Sequence, residues 1–582
     1  MRSIFRRAAG VSLSAVVLLG AGWGPAGAAS AAPAGPAAPA GPAAPAGPAA
    51  PAGPAAAAGS AGPAGAGPAG WRPGRLDWQP CPETPDDATL RCAGLELPID
   101  WAHPAAGTFE LALARHAATD PGARIGPLLI NPGGPGGSGV SYALRARDEF
   151  TPDVLRRFDI IGFDPRGVAR SSPVRCSRDL LAAGPAGLPE SQAQYDQLLD
   201  YNRRLARDCR AHTGPIFDHV DSVNVARDMD AIRAALGERQ INYYGISYGT
   251  LIGQMYAELF PDRARALVID SNMDHSLGTG AFMRTEAVGA ETSFGEFAAW
   301  CDRAATCALH GRDVPAVFDD LMRRADAGTL VDPDSGTKLT WLDLSSVARG
   351  AFYGPYWSEL ADWLAALDGS TAAIAARPGA DARRPVGPLT RLGASGRADR
   401  TGFGRADEEL AEYPLPVFCE DWSLPVGGFA QWSRYLAESR RVAPHMRAST
   451  IALGVTASCL AWPGPVNNPQ HRLRVRTSTP LLVTNSWYDP ATPYQWAQAV
   501  ADQVGDRGRL LTYQGWGHGV YGRTPCTTGA VDRYLIDRAL PRRGATCAPA
   551  ADPEPQERAG TRSRVPTAPP APAWPGWSTG RF

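Results

Sequence analysis

Residues 245–249 read Gly-Ile-Ser-Tyr-Gly, after the apolar run Ile-Asn-Tyr-Tyr at 241–244 and before the helix-like run Thr-Leu-Ile-Gly-Gln-Met-Tyr-Ala at 250–257. A strand that turns sharply into a helix strains its middle residue and exposes that side chain, and only small residues fit two positions on either side. In a chain with 64 glycines the pattern alone is weak, and an ordinary turn serine is the alternative. The order strand, turn, helix favours Ser247 as a catalytic nucleophile.

A catalytic serine needs a base, which lies further along the chain when the order is serine, acid, histidine. Of the nine histidines, His518 alone follows a terminal strand pattern, Arg-Leu-Leu-Thr-Tyr at 509–513. Gly517 and Gly519 flank it and allow a loop to present the imidazole. A surface histidine is the alternative, but the position after the last strand favours His518 as the base.

The acid is predicted after the preceding strand, Pro-Leu-Leu-Val-Thr-Asn at 480–485, where Asp489 follows. A buried carboxylate there would fix the tautomer of His518 and stabilise its protonated form. Asp270, after the apolar run 266–269, is the rival, because some hydrolases carry the acid one strand earlier. An Asp-Pro turn without a catalytic role is the other interpretation of Asp489.

An oxyanion hole needs backbone amides aimed at the developing charge. We predict one donor in Tyr248 and the other in Gly134, which lies in the loop Asn-Pro-Gly-Gly-Pro-Gly-Gly-Ser-Gly at 131–139. The glycine spacing in this loop, Gly134-x-Gly136-x-x-Gly139, followed by Asp164 at the end of the next strand pattern, also resembles the fingerprint of a dinucleotide-binding site. Its two prolines remove amides that a pyrophosphate would use, so we expect no nucleotide at this loop. We expect no cofactor of another kind either.

Several motifs together resemble the secreted tripeptidyl aminopeptidases, a group of prolyl-aminopeptidase-like α/β-hydrolases. They are Asn131-Pro-Gly-Gly-Pro-Gly, Asp164-Pro-Arg-Gly-Val-Ala-Arg-Ser, Gly245-Ile-Ser-Tyr-Gly-Thr, Asp489-Pro-Ala-Thr-Pro and Gly517-His-Gly. The resemblance spans the chain from Trp71 to Cys547. It is more specific for fold and triad than for substrate, because close relatives are described as esterases or endoproteases. Asn131 and Pro132 depart from the His-Gly that related aminopeptidases often carry.

The resemblance also implies an acidic group that meets the α-ammonium of the substrate. Glu420 and Asp421, within Phe-Cys-Glu-Asp-Trp at 418–422, are the predicted substrate-binding residues. A solvated pair of carboxylates at a helix start is the alternative.

Strand patterns recur with helical segments between most of them, which predicts a mostly parallel sheet covered by helices, the α/β class. The predicted strands are 95–99, 109–113, 128–130, 158–163, 241–245, 266–269, 481–484 and 510–513. The core would comprise 73–275 and 477–547, and the resemblance implies the α/β-hydrolase fold. Residues 276–476 lose the strand rhythm and become helical and aromatic, which predicts a lid inserted before the last two core strands. We expect its aromatic residues to form mainly the lid core, and residues 377–404 to form a mobile loop.

Residues 1–28 are typical of a signal peptide, with early arginines, an apolar stretch and Ala-Gly-Ala at 26–28. The general export route is favoured over the twin-arginine route. The apolar stretch is short for a membrane span, so no stable membrane insertion is expected after processing. No cysteine precedes Cys81, which excludes lipid attachment at the processed N-terminus.

Residues 29–72 are rich in proline, alanine and glycine and predict an extended linker. A plain spacer is favoured over a removed pro-segment or a segment that crosses the cell wall, so cell-wall association stays an open alternative. The proline-rich segment 548–582 predicts a disordered tail.

The even number of cysteines, ten, predicts disulfides in an exported chain, and we hypothesise that they pair sequentially. No spacing typical of a metal site occurs, so no metal is expected. With 57 basic and 58 acidic residues, the chain carries no charge footprint for nucleic acid or an anionic membrane.

The sequence therefore predicts an exported serine hydrolase that releases short peptides, tripeptides by the resemblance, from the N-terminus of a peptide substrate through an acyl-enzyme. A carboxylesterase or endopeptidase with the same triad is the alternative. A catalytically silent wall-associated binding protein is the rival from another class.

Overall fold

The structure is a computed structural model that describes residues 71–369 and 409–551, apart from residues 73, 186, 334, 355, 477 and 478. The predicted signal peptide, the linker up to residue 70, the predicted loop 377–404 and the tail beyond residue 551 lie outside the described residues.

The described strands run from the first part of the core to the last residues before the tail. They are β1 (Gln79–Pro80), β2 (Leu90–Pro98), β3 (Thr108–His116), β4 (Gly126–Asn131), β5 (Phe158–Phe163), β6 (Arg175–Ser177), β7 (Ile241–Ile246), β8 (Ala264–Asp270), β9 (Leu410–Glu412), β10 (Leu481–Tyr488), β11 (Gly508–Trp516) and β12 (Ala545–Cys547). Ten of them form one sheet in the order β1-β2-β3-β5-β4-β7-β8-β10-β11-β12.

The sheet is parallel from β5 to β12 in that order and antiparallel at the β1–β3 end. All eight predicted strands are present, and the α/β class is confirmed. Six have wider bounds than predicted, β5 has the predicted bounds, and β2 begins earlier and ends at Pro98, one residue before the predicted end. Every residue of β4, β5 and β7 is buried, as expected for parallel strands covered on both faces. Parallel strands end at one edge of the sheet, and the loops after β4, β7, β10 and β11 therefore meet there.

The described helices lie between the strands and in a long segment between β8 and β10. They are α1 (Gly139–Leu144), α2 (Ala146–Glu149), α3 (Pro152–Arg157), α4 (Arg178–Ala182), α5 (Gln192–Thr213), α6 (Ser222–Ala235), α7 (Tyr248–Leu259), α8 (Thr279–Arg303), α9 (Val314–Asp326), α10 (Trp341–Tyr353), α11 (Trp357–Asp368), α12 (Leu415–Asp421), α13 (Phe429–Val442), α14 (Thr450–Cys459), α15 (Tyr494–Val504) and α16 (Pro525–Asp537). Short 3₁₀ turns occupy Pro121–Ala123, Pro215–Asp218 and Gly505–Arg507.

Local signals set several helix starts. Asp221 accepts a hydrogen bond from the amide of Asn224 and caps α6. Thr340 and Asp343 form a capping box at the start of α10. These caps supply partners for amides that have none within the helix.

Buried apolar side chains form three clusters, one on each face of the sheet and one mainly within the segment α8–α11, which Ala443, Met446 and Trp516 complete. The third cluster contains Trp300, Phe352, Trp357 and Trp363, which agrees with the expectation that lid aromatics form mainly a lid core. The strand β9 pairs antiparallel with β6 of the core, a contact that the sequence did not predict.

All ten cysteines are paired in the hypothesised order. The disulfides are Cys81–Cys92, Cys176–Cys209, Cys301–Cys307, Cys419–Cys459 and Cys526–Cys547. Among the described residues, no helix is both long enough and apolar enough to span a membrane.

Candidate active site

Ser247 lies between β7 and α7 with φ 57° and ψ −123°, a strained conformation for a residue with a side chain. Its amide donates to the carbonyl oxygen of Asp270 at 2.9 Å. A Cβ on Gly245 would lie 2.5 Å from the carbonyl oxygen of Gly249, and one on Gly249 would lie 2.6 Å from that of Asn131. The turn therefore requires glycine at both positions and has the geometry of the predicted elbow.

The structure brings Asp489 and His518 together in a buried pair. Nδ1 of His518 lies 2.9 Å from Oδ1 and 3.0 Å from Oδ2 of Asp489. The amides of Ala491 and Thr492 donate to Oδ1 at 2.9 Å and 2.8 Å, and the Thr492 hydroxyl donates to Oδ2 at 3.0 Å. These donors stabilise the ionised carboxylate, which holds the proton of His518 on Nδ1 and leaves Nε2 as the basic nitrogen.

Asp270, the alternative acid, is occupied elsewhere. Its carboxylate accepts hydrogen bonds from the amides of Val520 and Tyr521 at 2.9–3.0 Å and from the Tyr244 hydroxyl at 2.9 Å. Burial raises its pKa. Asp270 thus anchors the backbone just after His518, whereas Asp489 contacts the imidazole.

The two predicted oxyanion donors lie on one cavity with Ser247. Gly134, Tyr248 and Ser247 all line it. Tyr248 is the first residue of α7, so its amide has no partner within the helix. The amide of Gly133 already donates to Asn131 Oδ1 at 2.9 Å, which leaves Gly134 as the better candidate in that loop.

Glu420 and Asp421 require a correction. Both are fully buried, and neither is among the residues that line this cavity. Asp421 accepts hydrogen bonds from the hydroxyl groups of Ser222 (2.6 Å) and Tyr248 (2.5 Å) and from the side chain of Asn468 (2.8 Å). Asp421 therefore does not take the position predicted for contact with the substrate's α-ammonium. It connects α12 to the start of α6 and to the side chain of Tyr248.

Burial, with the nearby charge of Asp221, raises the pKa of Asp421 to about 7. Burial also raises the pKa of Glu420, whose carboxylate accepts from the amide of Val220 at 3.0 Å. Both carboxylates therefore face neighbouring groups of the protein and not the cavity.

Glu286 is a carboxylate that sequence reasoning missed. It lies on α8, is 1% exposed and lines the cavity with Ser247. Its Oε2 accepts a hydrogen bond from the Ser449 hydroxyl at 2.8 Å. Burial raises the pKa of Glu286 to about 8, against the opposing effects of that hydrogen bond and of Arg349. A glutamate inside an apolar helix pattern gives no sequence signal, because its meaning depends on what the helix faces.

The remaining cavity lining is largely apolar. It consists of Pro135, Met273, Phe282, Tyr353, Phe418, Ile451, Val455, Ala491 and Thr492. The cavity measures about 30 Å³. Among the described residues, no group of three or more His, Cys, Asp or Glu side chains is arranged to hold a metal ion.

Comparison with known proteins agrees with this geometry. A family model described as TAP-like protein matches residues 445–547, and one described as alpha/beta hydrolase fold matches residues 126–334. The first contains Asp489 and His518, and the second contains Ser247.

Three curated relatives extend over most of the chain. Serine protease Hip1 of Mycobacterium tuberculosis (strain ATCC 25618 / H37Rv) is 33% identical over 501 residues, 81% of this chain and 91% of the relative. Tripeptidyl aminopeptidase of Streptomyces coelicolor is 31% identical over 494 residues, 82% and 87% of the two chains. Carboxylesterase B of Mycobacterium tuberculosis is 33% identical over 516 residues, 83% and 92%. From this similarity and the α/β-hydrolase fold, the chain belongs to the TAP-like family of α/β-hydrolases and is an enzyme of the serine-hydrolase class.

Proposed function

We propose that this protein is an exported serine peptidase that releases short peptides, tripeptides in particular, from the N-terminus of peptide substrates. The observation that carries the proposal is the buried carboxylate of Glu286 on the same cavity as Ser247. An ester substrate does not need a negative charge there, whereas the α-ammonium of a peptide does. Relatives named serine protease and tripeptidyl aminopeptidase support the same conclusion.

In this proposal Ser247 Oγ attacks the carbonyl carbon while Nε2 of His518 accepts its proton. Asp489 keeps the imidazole in the required tautomer, and the amides of Tyr248 and Gly134 stabilise the oxyanion. His518 returns the proton to the leaving amine. Water, activated by the same imidazole, then attacks the acyl-enzyme and releases the short peptide.

The first test removes the nucleophile. Losing the nucleophile or the base costs roughly six orders of magnitude in rate in a triad of this kind. We expect Ser247→Ala to lose turnover and labelling by a fluorophosphonate while its melting temperature stays near that of the wild type. A folded alanine variant that still reacts with the probe would exclude Ser247 as the nucleophile. A wild type that does not react with the probe at all would favour the catalytically silent binding protein.

A carboxylesterase is the second candidate, and the relative named carboxylesterase B favours it. The test compares kcat/KM for a tripeptide amide, its N-acetyl form and a simple ester. A preference for the free amine supports the aminopeptidase. Equal rates on both amides favour an endopeptidase, and rapid turnover of the ester alone favours the esterase.

Export is part of the proposal. The signal-like residues 1–28 and the five disulfides support it. Expression of the full chain with immunodetection in the culture medium and in the cell-wall fraction tests export and cell-wall association together. Retention of the unprocessed chain inside the cell would contradict the proposed location.

A further inference from the structure

The loop that carries His518 is attached to the lid as well as to the core. Gly517 and Gly519 flank the histidine with φ of 96° and 83°. Because both are glycine, they offer no side chains to anchor the loop. On the core side, the amide of Gly519 donates to Ser271 Oγ at 2.8 Å. On the lid side, the amide of His518 donates to the carbonyl oxygen of Tyr353 at 2.9 Å.

Arg523 ties the same two segments together. Its Nη2 donates to the carbonyl oxygens of Tyr353 and His518, both at 2.8 Å, and its Nε donates to that of Gly519 at 2.9 Å. A Cβ on Gly517 would lie 2.6 Å from this Nη2 and 2.8 Å from the Tyr353 oxygen, so the three groups are closely packed. A guanidinium can hold several acceptors in fixed directions, which an ammonium cannot do.

Tyr353 lies on the lid, lines the cavity and contacts His518. It is the last residue of α10, where carbonyl groups have no partner within the helix and accept other donors. Its ring packs edge-on against His518 with 4.9 Å between ring centroids. The same residue lines the cavity that contains Ser247.

The cavity is too small for a peptide. Its volume of about 30 Å³ compares with roughly 300–1,000 Å³ for sites that enclose small molecules. Substrate entry therefore requires that lining residues move, and several of them, Tyr353 included, lie on lid helices. Withdrawal of α10 removes one acceptor each from the His518 amide and from Arg523.

We infer that Arg523 is a positioning residue that, together with the carbonyl of Tyr353, places His518 for proton transfer only when α10 is seated against the catalytic loop. The inference rests on the proposed roles of Ser247 and His518. Arg523 contacts neither the cavity nor the reacting atoms. Its effect is on the catalytic step, and binding of substrate is left unchanged.

Arg523→Lys keeps the positive charge and loses the several fixed donor directions of the guanidinium. Arg523→Gln loses the charge as well. Rates are measured on a tripeptide amide and divided by the sites that a fluorophosphonate labels to completion. We expect kcat of both variants to fall roughly tenfold to a hundredfold, the scale of a small misplacement of a catalytic group, with KM within about twofold. Arg533→Lys, an exposed arginine on α16, is the matched control and should resemble the wild type.

The pH profile separates positioning from stability. Loss of a neighbouring cation favours the protonated imidazole, so Arg523→Gln should move the acidic limb of kcat/KM to higher pH, and Arg523→Lys should not. If both variants have wild-type kcat per labelled site and an unshifted limb, the inference is wrong even where their melting temperatures fall. A Ser247→Ala protein that keeps full turnover would instead overturn the proposed function.

A second measurement uses the wild-type protein and so does not depend on folding of a variant. Hydrogen exchange is followed with and without a compact fluorophosphonate attached. We expect the amide of His518 and the last turn of α10 to gain protection together, because they share the Tyr353 carbonyl. Slower exchange in α10 with unchanged exchange at residues 516–520 would overturn the coupling.

Discussion

Glu286→Gln keeps the size of the side chain and removes the carboxyl group that can ionise against the substrate's α-ammonium. A charge-assisted contact is worth about 1.5–3 kcal/mol, so kcat/KM for a free-amine tripeptide amide should fall roughly tenfold to a hundredfold or more. The N-acetyl form and simple esters should change little. Asp421→Asn is the control, since Asp421 is buried away from the cavity. If Glu286→Gln keeps the full preference for the free amine, another group recognises the N-terminus.

The pKa of Glu286, raised to about 8 by burial, predicts a pH dependence. Below that pH the carboxyl group is protonated and the α-amine is charged, so formation of the ion pair releases a proton and strengthens as pH rises. Above about pH 8 the amine loses its proton, and the pair weakens. We expect the ratio of kcat/KM for the free amine to that for its N-acetyl form to peak near pH 8. The ratio cancels any pH effect that the two substrates share, and the rising limb should be absent from Glu286→Gln.

The two candidate acids can be separated by matched substitutions. Asp489→Asn should lower kcat by roughly 10⁴-fold, because an amide does not hold the proton on Nδ1 of His518. Asp270→Asn should have a much smaller effect on kcat per folded molecule, since its carboxylate contacts the Tyr244 hydroxyl and the backbone after the histidine and makes no hydrogen bond to the imidazole. Melting curves of both variants provide the control. A larger loss in Asp270→Asn would assign the acid to β8.

At the scale of single residues, the sequence was informative where a candidate catalytic residue directly follows a strand. Ser247, Asp489 and His518 each follow an apolar strand, and topology alone brings such positions to one edge. Glu286 and Arg523 lie within helical or loop patterns that look ordinary. Their roles depend on which lid helix faces which loop, and that orientation has no local signature. Glu420 and Asp421 look like a surface pair in sequence, yet the structure buries them.

At the scale of elements, long core strands were predictable because central parallel strands are continuous apolar runs. Strands of two or three residues, such as β6 and β9, are too short to show a period. Their pairing joins positions more than two hundred residues apart, so no window of sequence reports it. The lid helices were predicted as a class, whereas their packing required the structure.

The disulfides in the lid provide an element-scale prediction. Cys419–Cys459 closes a separation of 40 residues, and Cys301–Cys307 closes one of 6. Loop-closure entropy gives roughly 4 kcal/mol for the first and roughly 2 kcal/mol for the second. We expect the Cys419→Ala, Cys459→Ala double variant to lose more unfolding free energy than the Cys301→Ala, Cys307→Ala variant. Denaturant titrations of both measure the difference, and the opposite order would show that loop length does not govern these bridges.

At the scale of the whole molecule, the paired cysteines predict that the folded protein has no free thiol. Thiol titration under denaturing, non-reducing conditions should give fewer than one thiol per chain. Reduction before a melting experiment should lower the melting temperature, because removal of a native disulfide typically costs about 2–5 kcal/mol. Two or more free thiols per chain would contradict full pairing.

The closed state of the site is a property of the whole molecule that the sequence could not predict. The cavity is bounded by side chains from the elbow, the glycine-rich loop and several lid helices, and its size depends on all of them at once. Aromatic residues in the lid were expected to form a core, and most do. Phe282, Tyr353 and Phe418 also line the cavity, and Tyr353 does so from the end of α10.

The order of the proposed catalytic groups along the chain has a consequence for biosynthesis. The lid insertion separates Ser247 from Asp489 and His518, and β11 must pair with β10 before the imidazole reaches the acid. A polypeptide still emerging from the ribosome or from an export channel therefore has a nucleophile but no base. A peptidase built in this order cannot digest its neighbours, or itself, while it is being made, and the first appearance of hydrolysis marks the completion of its C-terminal strands.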